Sequence, residues 1–191
     1  MPRTTARTDP ARAPRHLSAV QDFVNTLHVE RGTDELASWS SARIFLRGAG
    51  YSVPQSVTQD DLDRLNALRG ALRDLLTANG HGGEGHSTAR AVRVLSQLAA
   101  DANIAVEVGR DGTLRLRADG KGATQVVSAL IVSTHDAQRD GTWKRLKVCR
   151  NGACAWAFYD YSRNHSGTWC AMGICGNRNK VARHRASQKD S

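Results

Sequence analysis

All four cysteines of this 191-residue chain lie between positions 149 and 175. They form two pairs with the same internal spacing, Cys149-x4-Cys154 and Cys170-x4-Cys175, separated by fifteen residues. Two close pairs joined by a spacer are the usual way for a chain to present four soft thiolates to one tetrahedral zinc ion. The spacing therefore predicts one Zn2+ held by Cys149, Cys154, Cys170 and Cys175, with Gly152 turning the chain between the first two. An iron–sulfur cluster would use the same thiolates, and four free buried thiols are the third reading. Four thiolates close the coordination shell, so the expected ion is structural, with no open position for water. A segment of about 50 residues has little core of its own, and the ion would supply the missing stability.

No apolar run approaches the roughly 20 residues that cross a bilayer. The opening MPRTTARTDPARAPRH is basic with no apolar stretch behind it, unlike a secretory signal. The expected compartment is the cytoplasm, where thiols stay reduced. The net charge of +9 is unevenly placed. Residues 142–191 hold ten Lys and Arg against Asp160 and Asp190, a surplus of eight. The first fifteen residues add a surplus of three, and the middle of the chain is slightly acidic, at minus two. A cationic surplus concentrated on the cysteine segment favours a nucleic-acid partner, double-stranded DNA first.

The pattern along the chain predicts an α+β fold: a mostly helical N-terminal domain with a small β-hairpin, then a small four-cysteine finger ending in a basic helix. Residues 1–15 read as a disordered basic tail, 16–141 as a helix-rich effector or sensor domain, and 142–191 as the finger. Leu17, Val20, Phe23, Val24 and Leu27 recur at helical spacing. Thr33 or Asp34 is the expected cap of a second helix through Leu36, Trp39 and Ile44 to Leu46. Thr58 caps a third, with Asp60 and Asp61 in its first turn and a stripe of Leu62, Leu65, Leu68, Leu72 and Leu75 ending before Asn79-Gly80. Residues 80–86 read as a loop, followed by a helix with Val92, Leu95 and Leu98 inward. Asn103–Val108 and Thr113–Arg117 alternate as strands about Arg110-Asp111-Gly112. A last helix is expected over Thr124–Arg139.

Within the finger, Trp156, Phe158 and Tyr161 are expected to form a small core around the metal, with Trp169 beside it. The chain from about Cys170 reads as a helix. Ile174, Arg178, Val181 and Arg185 share one face, and Lys180, Arg183, His184 and Ser187 share the other. Such a helix suits phosphates and a DNA groove, and a solvated helix without a partner is the bland alternative.

Cys175-Gly176-Asn177-Arg178, followed by Asn179-Lys180-Val181-Ala182-Arg183, resembles the signature of bacterial CGNR-type zinc fingers. The match extends from Leu146-Lys147-Val148-Cys149 through Phe158-Tyr159-Asp160, Ser162-Arg163-Asn164 and Trp169-Cys170 to Arg185. Gln21-Asp22-Phe23-Val24-Asn25-Thr26-Leu27 resembles the DFVNT motif that opens the helical domain ahead of that finger. The resemblance implies a stress-induced transcription regulator with a DNA-binding finger. Relatives often carry basic residues before the tryptophan, where this chain has Ser166-Gly167-Thr168, so the resemblance does not carry a phosphate contact over to that position. The implied DNA contacts are Arg163, Arg178, Lys180, Arg183 and Arg185.

Asp22, Asn25 and Thr26 lie within about a turn of one another. They either line a pocket for a small effector or form a buried hydrogen-bond network. His28, His81 and His86 lack companions at metal spacing, Gly82-Gly83-Glu84-Gly85 is too short for a phosphate loop, and no nucleophile constellation appears. The expectation is therefore a binding protein and not an enzyme. An RNA- or ribosome-associated protein, or a small-molecule-binding domain with the finger as interaction module, are the competing readings. A homo-oligomer is left open. With two separate modules, loss of zinc is expected to unfold the finger alone.

Overall fold

The computed structural model describes residues 11–53, 58–81 and 86–188, with the backbone alone for Arg15, His81, His86, Ser87, Arg183, His184 and Ala186. The leucine stripe builds the longest helix, numbered α3 in chain order, Gln59–His81. Thr58 caps it as expected: its hydroxyl accepts from the Asp61 N–H at 3.2 Å, and Asp61 Oδ2 accepts from the Thr58 N–H at 3.1 Å. Leu62, Leu65, Leu68 and Leu72 are buried, but the fifth member is Leu76, with Leu75 partly buried beside it. A step of four keeps Leu76 on the stripe that Leu72 defines. The helix also runs past Asn79. The Asn79 amide donates to the carbonyls of Trp143 (2.9 Å) and Leu146 (3.0 Å), so it docks the chain that enters the finger.

Around α3 pack α1 (Arg15–Val24) and α5 (Gly122–Arg139). Leu17, Val20, Phe23 and Val24 meet Val126, Val127, Leu130 and Ala137 in one core. The first helix stops before Leu27 because Arg73 Nη2 on α3 takes the carbonyls of Val24 and Leu27, at 2.7 and 3.0 Å. Thr33–Asp34 is not a helix cap: it is a short strand, β2, paired antiparallel with β1, Leu27–His28. The second helix, α2, begins only at Trp39 and runs to Gly48. Its capping box is Ser38 and Ser41, each side chain accepting from the other's N–H.

The helix α4, His86–Ala100, lies against α3. It turns Leu98 inward with Leu95 partly buried beside it, as expected, but Ala91 takes the buried place expected of Val92, which is 53% exposed. The expected loop over 80–86 shrinks, since α3 continues through His81 and α4 starts at His86; residues 82–85 lie outside the described part. Strands β3 (Ile104–Val108) and β4 (Leu114–Ala118) form the expected hairpin, with Val108 opposite Leu114. No described helix is long and apolar enough to cross a membrane.

The last hairpin joins the two halves of the chain. Strands β5 (Leu146–Val148) and β6 (Ala157–Tyr159) pair antiparallel with Lys147 opposite Phe158. Because side chains alternate along a strand, Leu146, Val148, Ala157 and Tyr159 enter the helical core, while Phe158 joins the four cysteines. The cysteine segment is thus not an independent module: its hairpin is one wall of the helical core.

Residues 1–10 of the expected disordered tail lie outside the described part, but residues 11–14 are anchored. The Ala11 carbonyl accepts from the Tyr159 N–H at 3.2 Å, and the Ala13 N–H donates to Gln21 Oε1 at 2.7 Å.

Candidate metal centre and its basic surroundings

The ligand-bearing sulfurs of Cys149, Cys154, Cys170 and Cys175 all lie within 4.8 Å of one another, and all four residues are buried. Cys154 and Cys170 have their sulfurs 3.6 Å apart, and Cys170 and Cys175 3.7 Å. Sulfurs about 2.3 Å from a central zinc, at tetrahedral corners, stand about 3.8 Å apart. A disulfide would need about 2.05 Å. The donor set and its spacing fit one structural zinc ion.

The first knuckle is built by Asn151. Its carbonyl accepts from the N–H groups of Cys154 (2.8 Å) and Ala155 (2.9 Å), and its side-chain amide reaches Cys175 Sγ at 3.9 Å. The left-handed residue of this turn is Ala155, at φ 46°, and not Gly152. The thiol of Cys154 beside it, more than burial, pushes the Cys149 thiol up to about 11, and its neighbours push Cys170 up as well. Without metal these two cysteines hold their protons at neutral pH, so zinc must displace protons as it binds.

The apolar surroundings are Phe158, Trp156, Trp169 and Ile174. Tyr161 is not among them: it is 60% exposed and donates its hydroxyl to the Arg12 carbonyl at 2.8 Å. The expected helix from Cys170 starts as a single π turn, Met172–Gly176, which carries Cys175; α6 then runs Asn177–Ser187.

Behind the metal lies an ion pair the sequence reading did not find. Lys147 and Asp160 are each only 4% exposed, and Lys147 Nζ donates to Asp160 Oδ2 at 2.8 Å. The same ammonium donates to the carbonyls of His165 (2.5 Å) and Gly167 (3.3 Å). Asp160 accepts in turn from the N–H groups of Ser162 (2.9 Å) and Gly167 (2.7 Å). Burial alone would raise the Asp160 pKa, but Lys147 and these donors outweigh it and hold the carboxyl well below the usual range. The pair ties down the 160–168 loop that carries Arg163. A Cβ at Gly167 would lie 2.6 Å from the Asp160 carboxylate, so the approach requires glycine. The available signal was strand alternation, which puts Lys147 on the face opposite Leu146 and Val148.

Of the expected DNA contacts, Arg163, Lys180 and Arg185 are exposed. The Arg183 side chain lies outside the described part. Arg178 is engaged: its Nη1 meets Glu30 Oε1 at 2.5 Å, tying α6 to the 3-10 turn Val29–Arg31 of the helical domain. Arg145 donates to the carbonyls of Asp160 (3.1 Å) and Ser162 (3.3 Å).

The DFVNT segment divides between two tasks. Asn25 grips the backbone of Ala157 with both ends of its amide, accepting from the N–H at 2.8 Å and donating to the carbonyl at 3.0 Å. Gln21 donates to the same carbonyl at 3.2 Å. These residues clamp β6. Thr26 belongs to a buried network: it is 2% exposed, donates to the Phe23 carbonyl at 2.7 Å and accepts from Arg69 Nη1 at 3.1 Å. Arg69 forks onto both oxygens of Asp34, a buried network hidden from sequence inside the leucine stripe. Asp22 pairs with Arg12 at 2.8 Å. With Asn25, Glu35, Phe45 and the finger's Trp156, Asp22 lines an open cleft of about 410 Å³ where the helices meet the finger.

Two family models match the chain: the CGNR zinc finger over residues 145–188, and ABATE, described as a putative stress-induced transcription regulator, over residues 17–145. No curated protein matches the sequence.

Proposed function

The chain belongs to the ABATE family and carries a CGNR zinc finger, and from that premise we propose that it is a transcription regulator that binds duplex DNA through the zinc-held finger. The coarse role is that of a zinc-binding regulatory protein. The observation that supports DNA is the surplus of eight positive charges on residues 142–191, with Arg163, Lys180 and Arg185 exposed on a frame fixed by the cysteines and by the Lys147–Asp160 pair. Phosphate contacts from such a surface give affinity that falls steeply with salt. The expected result is duplex binding that weakens with salt and weakens further when Arg163, Lys180 and Arg185 become alanine. No binding to any duplex at low salt would sink the reading. Competition by RNA of the same sequence separates DNA from RNA as partner.

Trp156 gives the helical domain a route to the finger. A small ligand in the cleft of Asp22, Asn25, Glu35, Phe45 and Trp156 would touch both, and so could alter how the finger meets DNA. Thermal stabilisation by one metabolite in a screen, lost in Trp156→Ala, is the expected sign. We read the protein as a regulator and not an enzyme; a zinc ion held by four thiolates would have no open position for chemistry. The cytoplasm is the setting this reading implies.

A further inference from the structure

We propose that the cleft between the first cysteine knuckle and α6 seats one backbone phosphate of duplex DNA, with Arg150 and Asn179 as its donors. This rests on the DNA reading above and names a contact that reading lacks. The cleft measures about 460 Å³ and is lined by Arg150, Thr168, Trp169 and Asn179. No carboxylate is among its described lining residues.

The two donors stand on rigid ground. Arg150 follows the ligand Cys149, and its N–H donates to the Thr168 carbonyl at 3.1 Å, joining the two strands of chain that flank the cleft. Asn179 sits in the first turn of α6, just after the turn that carries Cys175. Trp169 packs against the cysteines and forms a fixed wall. Both donors are uncommitted. Among the described residues, neither the Arg150 guanidinium nor the Asn179 amide has a partner within the protein. Arg145, Lys147 and Arg178, by contrast, are all engaged with oxygens of the protein. The Thr168 hydroxyl is also engaged, donating to the Ser166 carbonyl at 3.2 Å, so it walls the cleft without donating into it.

A planar guanidinium fork beside an amide N–H2 matches the acceptor oxygens of a phosphodiester. Arg and Asn can also meet base edges, but such a contact neutralises no phosphate, so the salt slope tells the two apart. Such a phosphate contact sets the register of α6 on the duplex without itself reading sequence.

The test uses the full-length zinc-loaded protein and a fluorescently labelled duplex, followed by anisotropy across a salt series. Arg150→Gln is expected to weaken binding about tenfold and to make the slope of log affinity against log salt shallower by about one. Asn179→Ala is expected to weaken it about threefold with the slope unchanged, since an amide neutralises no phosphate. Arg117→Gln, on β4, is the control and leaves both quantities unchanged. Zinc content and the unfolding curve verify that each variant is intact. Arg150→Lys covers the case in which Arg150→Gln loses zinc: it keeps the slope but loses affinity, because the fork is gone. Wild-type affinity and slope in Arg150→Gln, or wild-type affinity in Arg150→Lys, would overturn the seat while leaving the DNA reading intact. Absence of duplex binding by the unsubstituted protein removes both.

Discussion

Asn25 holds the buried backbone of Ala157 as a neighbouring strand would, offering one donor and one acceptor. Asn25→Ala leaves both backbone groups without that partner and is expected to cost about 1–3 kcal/mol, read from the denaturant midpoint. Removing the ammonium of the buried pair is more severe. Lys147→Met strands the Asp160 carboxylate, at about 3–5 kcal/mol. The same carboxylate sets an acid limit. Its pKa is lowered in the folded protein, so its contribution to stability is complete above the ordinary unfolded value of about 3.9 and is lost as pH falls below it. Unfolding free energy measured against pH should therefore fall on the acid side, and Asp160→Asn should flatten that fall. Sequence showed Asn25 as part of a motif but not what it grips, because Ala157 lies 132 positions away. Lys147 and Asp160 are only 13 positions apart, but spacing alone did not show that the hairpin buries them against each other.

Strand β6 shows how two parts of the chain become one at the scale of an element. Its alternation sends Ala157 and Tyr159 to the helices and Phe158 to the metal. Removing zinc loosens the knuckles on one face of a hairpin whose other face is core. Chelation is therefore expected to lower the midpoint of a single cooperative transition, followed by circular dichroism. Survival of a helical domain at undiminished stability would contradict this and restore the two-module expectation. Leu146→Ala should act on both halves, destabilising the helices by about 2–5 kcal/mol and easing zinc release. Helix α3 was readable from its leucines and cap, and the β3–β4 hairpin from alternation. The start of α2 and the exposure of Val92 on α4 were not. Thr33 and Asp34 are good caps locally, but pairing with Leu27 and His28 claims them first.

For the whole molecule, the question is which charges of the surplus are free. Several are engaged internally, and Arg178 is tied to Glu30 across the junction. Glu30→Gln removes a carboxylate beside the finger and with it the ion pair to Arg178. It is expected to tighten duplex binding roughly threefold, the scale of an exposed ion pair, with the gain fading as salt rises. Unchanged affinity would mean that the Glu30 ion pair does not hold Arg178 back from DNA.

The sequence by itself determined the zinc site, the helical class and the family, because these rest on local spacing: paired cysteines, leucines at three and four, a cap at the right distance. Tertiary structure decided which polar residues serve structure and which face outward. Asn25, Thr26, Arg69 and Lys147 are taken into the interior, whereas Arg150 and Asn179 are left free in a cleft. That division depends on partners far along the chain, and burial makes an unpaired polar group costly. Only the closed fold brings those partners within hydrogen-bond reach.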